Sequence, residues 1–216
     1  MSRPVKTSRR YDSAGRQEQA RQTRRDVLDA AKALFLERGF AATTMADVAT
    51  EAGVAVQTVY SAVGGKAALL KEVFDTTLVG DDEPVAVSGR PEIARGSAAT
   101  DGRRQLQLVA RSVSGVHLRL SPLVPVLQAA ADADEDAARL WDGYYRGKYE
   151  GMTHFATNLK EQRLLRRGMT VERAAAVLAA HIDVVNWQNL VERHGFTKRE
   201  FEAWLVDVTA AAILRP

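Results

Sequence analysis

The chain of 216 residues contains no cysteine. That alone excludes disulfides, thiolate zinc sites and thiol nucleophiles. No apolar run approaches the ~18 residues of a membrane span. The basic, polar N-terminal residues lack the apolar stretch of a secretory signal. A soluble, cytoplasmic chain that does not engage membranes is the expectation. No HExxH, no glycine-rich phosphate loop and no clustered His/Asp/Glu set occurs, which leaves an enzyme little to work with. Glu150 and His154 stand four apart, but a single pair is a poor metal site. Neither a catalytic residue, a metal nor a cofactor is expected. Alternation of period two, internal repeats and low-complexity tracts are missing as well.

What is present favours helix. Hydrophobic residues make up 46% of the chain, enough for a core, and Ala, Leu and Val dominate them. The length accommodates a small first domain and a larger second one. Charge is unevenly spread. Residues 1–25 hold eight Arg and Lys, among them Arg24 and Arg25, against Asp12 and Glu18. The whole chain is only +3, so the remainder is net acidic. On its own a basic leader is commonly a solvated tail. Beside a nucleic-acid-reading unit it becomes an arm for phosphates.

Such a unit lies between Thr44 and Leu70. Thr44 and Asp47 have capping-box spacing, and Met45, Val48, Ala49 and Ala52 recur at helical intervals. Gly53 allows a sharp turn. Val54, Val59 and Tyr60 give a second short helix its apolar face, and Gly64-Gly65 closes it before a third helix opens at Lys66. Two short helices so joined make a helix-turn-helix, whose second helix enters the DNA major groove. That helix is expected over Val56 to Val63. Gln57 can pair bidentately with adenine, Thr58 can donate to a base or phosphate, and Val56 offers apolar contact. Lys66 adds an ammonium to a helix N-terminus that already favours anions. Thr44, at another N-terminus, either donates to phosphate or serves only as a cap.

The stretch from about Arg25 to Phe74 resembles the DNA-binding domain of the TetR family of one-component bacterial regulators. The resemblance rests on Ala30-Ala31, Leu34-Phe35, Gly39-Phe40, Thr43-Thr44, Val48-Ala49, Ala52-Gly53-Val54, Thr58-Val59-Tyr60, Lys66 and Leu69-Leu70. It covers about a quarter of the chain. Ser61-Ala62 stands where many members carry an aromatic or histidine pair, so no base contact is assigned to Ala62. The resemblance implies that Tyr60 lies against a backbone phosphate. The alternative from spacing alone is a core aromatic. It also implies a homodimer joined by a four-helix bundle of the last two helices, and a helix from Lys66 that links DNA to ligand domain.

The expected architecture is therefore all-α, with three parts. Residues 1–18 form a basic disordered arm. Residues 19–65 form a three-helix helix-turn-helix domain, its first helix running from about Gln19 to Arg38. Residues 66–216 form a larger helical ligand-binding and dimerisation domain. Within it, Asp81–Arg104 reads as a loop broken by Pro and Gly, and a helix follows over about Gln105–Leu120. Ser121-Pro122 reads as a helix start. The helix over about Asp134–Leu165 is somewhat broken by Gly143, Gly147 and Gly151. Thr170–Arg193 reads as one helix, and Thr197 with Glu200 caps the last.

Trp141, Tyr145, Tyr149 and Met152 share one helical face. With His117, Tyr144, Phe155, Asn186 and Trp187 they are candidates to line a pocket for a small apolar or aromatic effector. An ordinary core stripe is the competing reading. Ala175, Ala179, Phe201, Trp204, Leu205, Val208 and Ala212 are candidates for a dimer seam, with an intrachain core as the alternative. The function expected is a dimeric repressor that binds a palindromic operator of double-stranded DNA and is released by a small molecule. A DNA-binding regulator without a ligand, or a helical enzyme, are the other two readings.

Overall fold

The computed structural model describes residues 8–80 and 101–216, with residues 8–14 described by backbone only. Helix α1 spans Ser8–Ala42 and is broken at Gly39 (φ 78°), where the sequence ends its main run. Its buried stripe includes Val27, Ala31, Leu34 and Phe35, at helical spacing. It starts well before Gln19, because residues 8–18 contain no proline and are mostly compatible with helix. An arm separate from α1 is thus confined to residues 1–7, which lie outside the described residues. Helix α2 (Met45–Glu51) opens on the expected Thr44–Asp47 capping box. Gly53, at φ 66°, takes the left-handed turn, and α3 (Val56–Val63) follows. Gly64, at φ 81°, ends α3, and α4 (Lys66–Val79) begins.

Most of the expected loop over 81–104 lies outside the described residues. Helix α5 (Gly102–Leu120) starts three residues before Gln105, under a side-chain cap from Asp101. Ser121 does not open a helix. Its hydroxyl donates to Glu192 at 2.5 Å, and α6 (Val124–Ala131) begins three residues later with Pro125 in its first turn. Helix α7 (Glu135–Glu161) is continuous. Its three glycines cost propensity, about 1 kcal/mol each, but packing against α6 and α8 holds them helical.

The expected helix over 170–193 is interrupted. Helix α8 (Val171–His181) stops, α9 (Val184–Trp187) restarts, and a π-helical turn covers Gln188–Arg193. Two polar side chains cause the break. Asp183 accepts the N–H of Val185 and caps a new start, while Asn186 donates to the carbonyls of Ala180 and His181. Helix α10 (Lys198–Ile213) has the expected Thr197–Glu200 capping box.

Two apolar cores result. One joins Val27, Phe35, Val59, Leu70 and Phe74 to Leu120, Leu123 and Leu127 of the second domain. The other gathers α5, the end of α7, α8 and α10 around Phe201 and Trp187. The expected boundary at 65/66 therefore runs through shared core, and α4 touches α1, α5 and α7. Among the described residues no helix is long and apolar enough to cross a membrane.

Candidate nucleic-acid interface and interior cavity

Helix α3 buries Val59 and Val63 and turns its other face outward. Gln57 is exposed and Thr58 half-buried. Val56 is 40% and Tyr60 47% exposed. Tyr60 is thus no core aromatic, and it shares the exposed face of α3 with Val56. Arg24 ties this helix in place: its guanidinium donates to the carbonyl of Ala62 and pairs with Glu72 at 2.6 Å. Its visible task is positioning α3 against α1 and α4. Arg25 is exposed beside it.

Lys66 stands at the start of α4, but its ammonium points back to α1. Nζ donates to the carbonyl of Ala41 at 3.2 Å and lies 4.4 Å from the centre of the Phe40 ring. Desolvation holds its pKa below the ordinary lysine value, partly offset by Asp134. Thr44 is likewise occupied. Its hydroxyl donates to the Asp47 carboxylate at 2.6 Å and accepts the Asp47 N–H at 3.1 Å; the hydroxyl bond, with a second from the Thr44 N–H at 2.9 Å, lowers the carboxyl pKa of Asp47.

Below this surface, α4, α5 and α7 enclose a cavity of about 710 Å³. Its walls are chiefly apolar and include Phe74, Leu78, Val113, Leu140 and Phe155. Charged groups on its lining include Lys71, Asp75, Arg139, Lys148 and Glu150. The α7 face that lines it carries Gly143, Gly147 and Gly151, one per turn. A Cβ at any of the three would meet open space. The missing side chains are part of what keeps the space open.

Of the expected pocket residues, His117, Tyr144, Met152 and Phe155 reach this cavity. Trp141 and Tyr145 pack on each other at 4.8 Å beside it. Tyr149 is 42% exposed, Trp187 is buried in the second core, and Asn186 caps α8. The aromatic stripe is one face and the cavity wall the next, about a third of a turn away. Tyr144 meets the cavity edge-on to Phe74 at 5.2 Å, and burial pushes its hydroxyl pKa up. The signal that would have found the wall was the glycine spacing.

A family model described as bacterial regulatory proteins, tetR family, matches residues 27–73, which run from α1 through α4. Over these residues the chain has the DNA-binding domain of the tetR family of bacterial regulatory proteins. The chain is 26% identical, over 77% of its length and 79% of the relative's, to the probable HTH-type transcriptional regulator ArpR of Pseudomonas putida. Its fold is that of NalD from Pseudomonas aeruginosa, the secondary repressor of the MexAB-OprM multidrug efflux pump. The TM-score is 0.72 at 21% identity, over 91% of this chain and 98% of that one. It is also that of SmeT in complex with triclosan, at TM-score 0.68 and 20% identity, over 90% of this chain and 92% of that one. SmeT is the repressor of the SmeDEF multidrug efflux pump of Stenotrophomonas maltophilia. These relatives are transcriptional regulators, not enzymes.

The last helices of the chain correct the expected dimer seam. Phe201, Leu205 and Ala175 are at most 3% exposed within one chain, so they have no surface to give a second copy. They face inward because α10 lies along α5 and α8. Ala179, Trp204, Val208 and Ala212 keep partly exposed outer edges.

Proposed function

We propose that the protein is a homodimeric repressor that binds a palindromic operator through α3 and leaves it when an apolar or aromatic small molecule fills the cavity. One observation carries the reading: α4 begins beside the DNA-reading helices and its later residues, including Phe74 and Leu78, form cavity wall. A ligand that displaces α4 alters the seating of α3, which Arg24 and Glu72 hold to α4. Gln57, Thr58 and Val56 read bases; Tyr60, Thr44, Lys66 and Arg25 serve phosphates, with Arg24 behind them. Lys66 reaches phosphate by exchanging its carbonyl partner at Ala41. A second copy is required because one such unit reads only a few base pairs. The outer edges of Ala179, Trp204, Val208 and Ala212 are the seam. NalD and SmeT, as repressors of efflux pumps, and the triclosan complex of SmeT support this assignment.

The test uses Gly147→Leu, which fills the cavity from a position where a side chain meets no backbone. A panel of aromatic compounds that includes triclosan is titrated against protein on its selected operator. Binding is expected to lower operator affinity ~5–150-fold, with operator weakening ligand by the same factor. Gly147→Leu is expected to keep operator affinity and lose the response. A variant that responds like the wild type, or a panel without effect, contradicts release through this cavity.

A further inference from the structure

Glycine has two ordinary uses in a folded chain, a positive φ and a close approach by another element. Gly80, just after α4, shows the first, with φ 81°. Gly102, at the start of α5, shows the second: a Cβ there would lie 2.9 Å from the Leu214 side chain. Gly143, Gly147 and Gly151 show neither. All three sit inside α7 without a positive φ, and a Cβ on any of them meets nothing within 4 Å. Each lowers helix propensity against alanine. What they share is the cavity, whose lining includes all three. Spaced four residues apart, they follow one i, i+4 row of the helix, roughly 12 Å long. Gly143 and Gly147 are exposed and Gly151 is half-buried, so the row is open to what enters. The other two helices line the cavity with side chains, Phe74 and Leu78 from α4 and Val109 and Val113 from α5.

We infer that the cavity selects flat aromatic molecules of linked or fused rings that lie along the row of Gly143, Gly147 and Gly151, and that these glycines set its shape specificity. This rests on the cavity's being a ligand site and adds the shape that such a ligand must have. Peptide groups in a helix interior bond to one another, so a helix face stripped of side chains presents Cα hydrogens and no unmet polar group. An aromatic ring laid flat on that face sets its electron-rich surface against those hydrogens. A globular molecule touches a straight bare row over a short stretch and leaves the rest wet. Alanine in the row should therefore improve the helix and harm the site.

The probes are 2-naphthol and 1-adamantanol, titrated calorimetrically into the full chain. They have equal numbers of carbons and one hydroxyl each, and differ in that the first is flat and the second globular. The wild type is expected to bind 2-naphthol about 3–10-fold more tightly, because contacts held off by a gap forfeit much of their attraction. Gly147→Ala is expected to weaken 2-naphthol ~10-fold, the scale of one methyl forced into a packed contact, and 1-adamantanol much less. The same variant is expected to melt ~2–4 °C higher, since its methyl improves the helix and meets no clash. Gly143→Ala and Gly151→Ala bracket it, and at least one of them should share both effects. Equal affinities for the two probes in the wild type overturn the shape rule while leaving the cavity a ligand site. A Gly147→Ala variant that melts higher and binds 2-naphthol as before overturns the assignment of the row. One that melts lower reveals a glycine held by packing, and overturns it as well. Binding of neither probe defeats the cavity itself, and the inference with it.

Discussion

Phe201→Ala will lower the unfolding free energy by about 3–5 kcal/mol, the usual range for a buried phenylalanine truncated to alanine. Phe201 is fully buried, and its ring sits 5.2 Å from Trp187, 5.7 Å from Trp204 and 6.3 Å from His117. Removing it opens a hole at the meeting point of α5, α9 and α10, where three aromatic neighbours lose their common partner. Whole domains are stable by only about 5–15 kcal/mol, so the loss is a large share. Urea unfolding followed by tryptophan fluorescence measures it, since Trp187 and Trp204 flank the site. A loss below about 1 kcal/mol, with the variant turning into a well-folded monomer, would return Phe201 to a seam between copies.

Acidification supplies the second large effect. Burial lowers the pKa of His117 to about 4, opposed by its bond to Ile182 and by Asp183 and Glu192, and aided by Lys148. The unfolded chain's histidine titrates near 6.5. Between those values the unfolded chain holds more protons than the folded one, so stability rises with pH there. The contribution is complete above about pH 6.5 and is lost as pH falls toward 4. The difference in pKa corresponds to about 3 kcal/mol. Unfolding free energies measured from pH 7 to pH 4.5 should therefore fall more steeply for the wild type than for His117→Gln, which has no group to titrate. Parallel curves would mean that His117 is solvated or charged in the folded state.

The DNA-reading end was legible in the sequence for local reasons. Thr44 with Asp47, Gly53 and Gly64 act on their own neighbours, so their spacing alone specifies caps and turns. The helical class was legible for the same reason, and Thr197 with Glu200 marked the start of α10. Breaks and faces in the larger domain were not. Asp183 and Asn186 end α8 through partners that only the three-dimensional path brings near. The glycines at 143, 147 and 151 look like helix breakers in a one-dimensional reading. In the folded chain they line a void, because α6 and α8 support the helix from its other sides. The aromatic stripe from Trp141 to Tyr149 misled similarly: periodicity finds a face but does not say what it faces. Phe201 and Leu205 showed an apolar stripe that a dimer or a core would use equally well, and the turn of α10 against α5 decided for the core.

The central claim is sequence-specific DNA reading by α3, and selection from a pool of random duplex DNA tests it most directly. The full chain should enrich a two-fold-symmetric site. On that site Gln57→Ala should cost about 1–3 kcal/mol per contact, with a much smaller loss on unrelated DNA. Lys66→Ala should instead weaken all DNA alike and shallow the dependence of log affinity on log salt by about 1 per half-site. Enrichment of no sequence, or equal losses for Gln57→Ala on selected and unrelated DNA, would contradict the assignment of α3 as the reading helix.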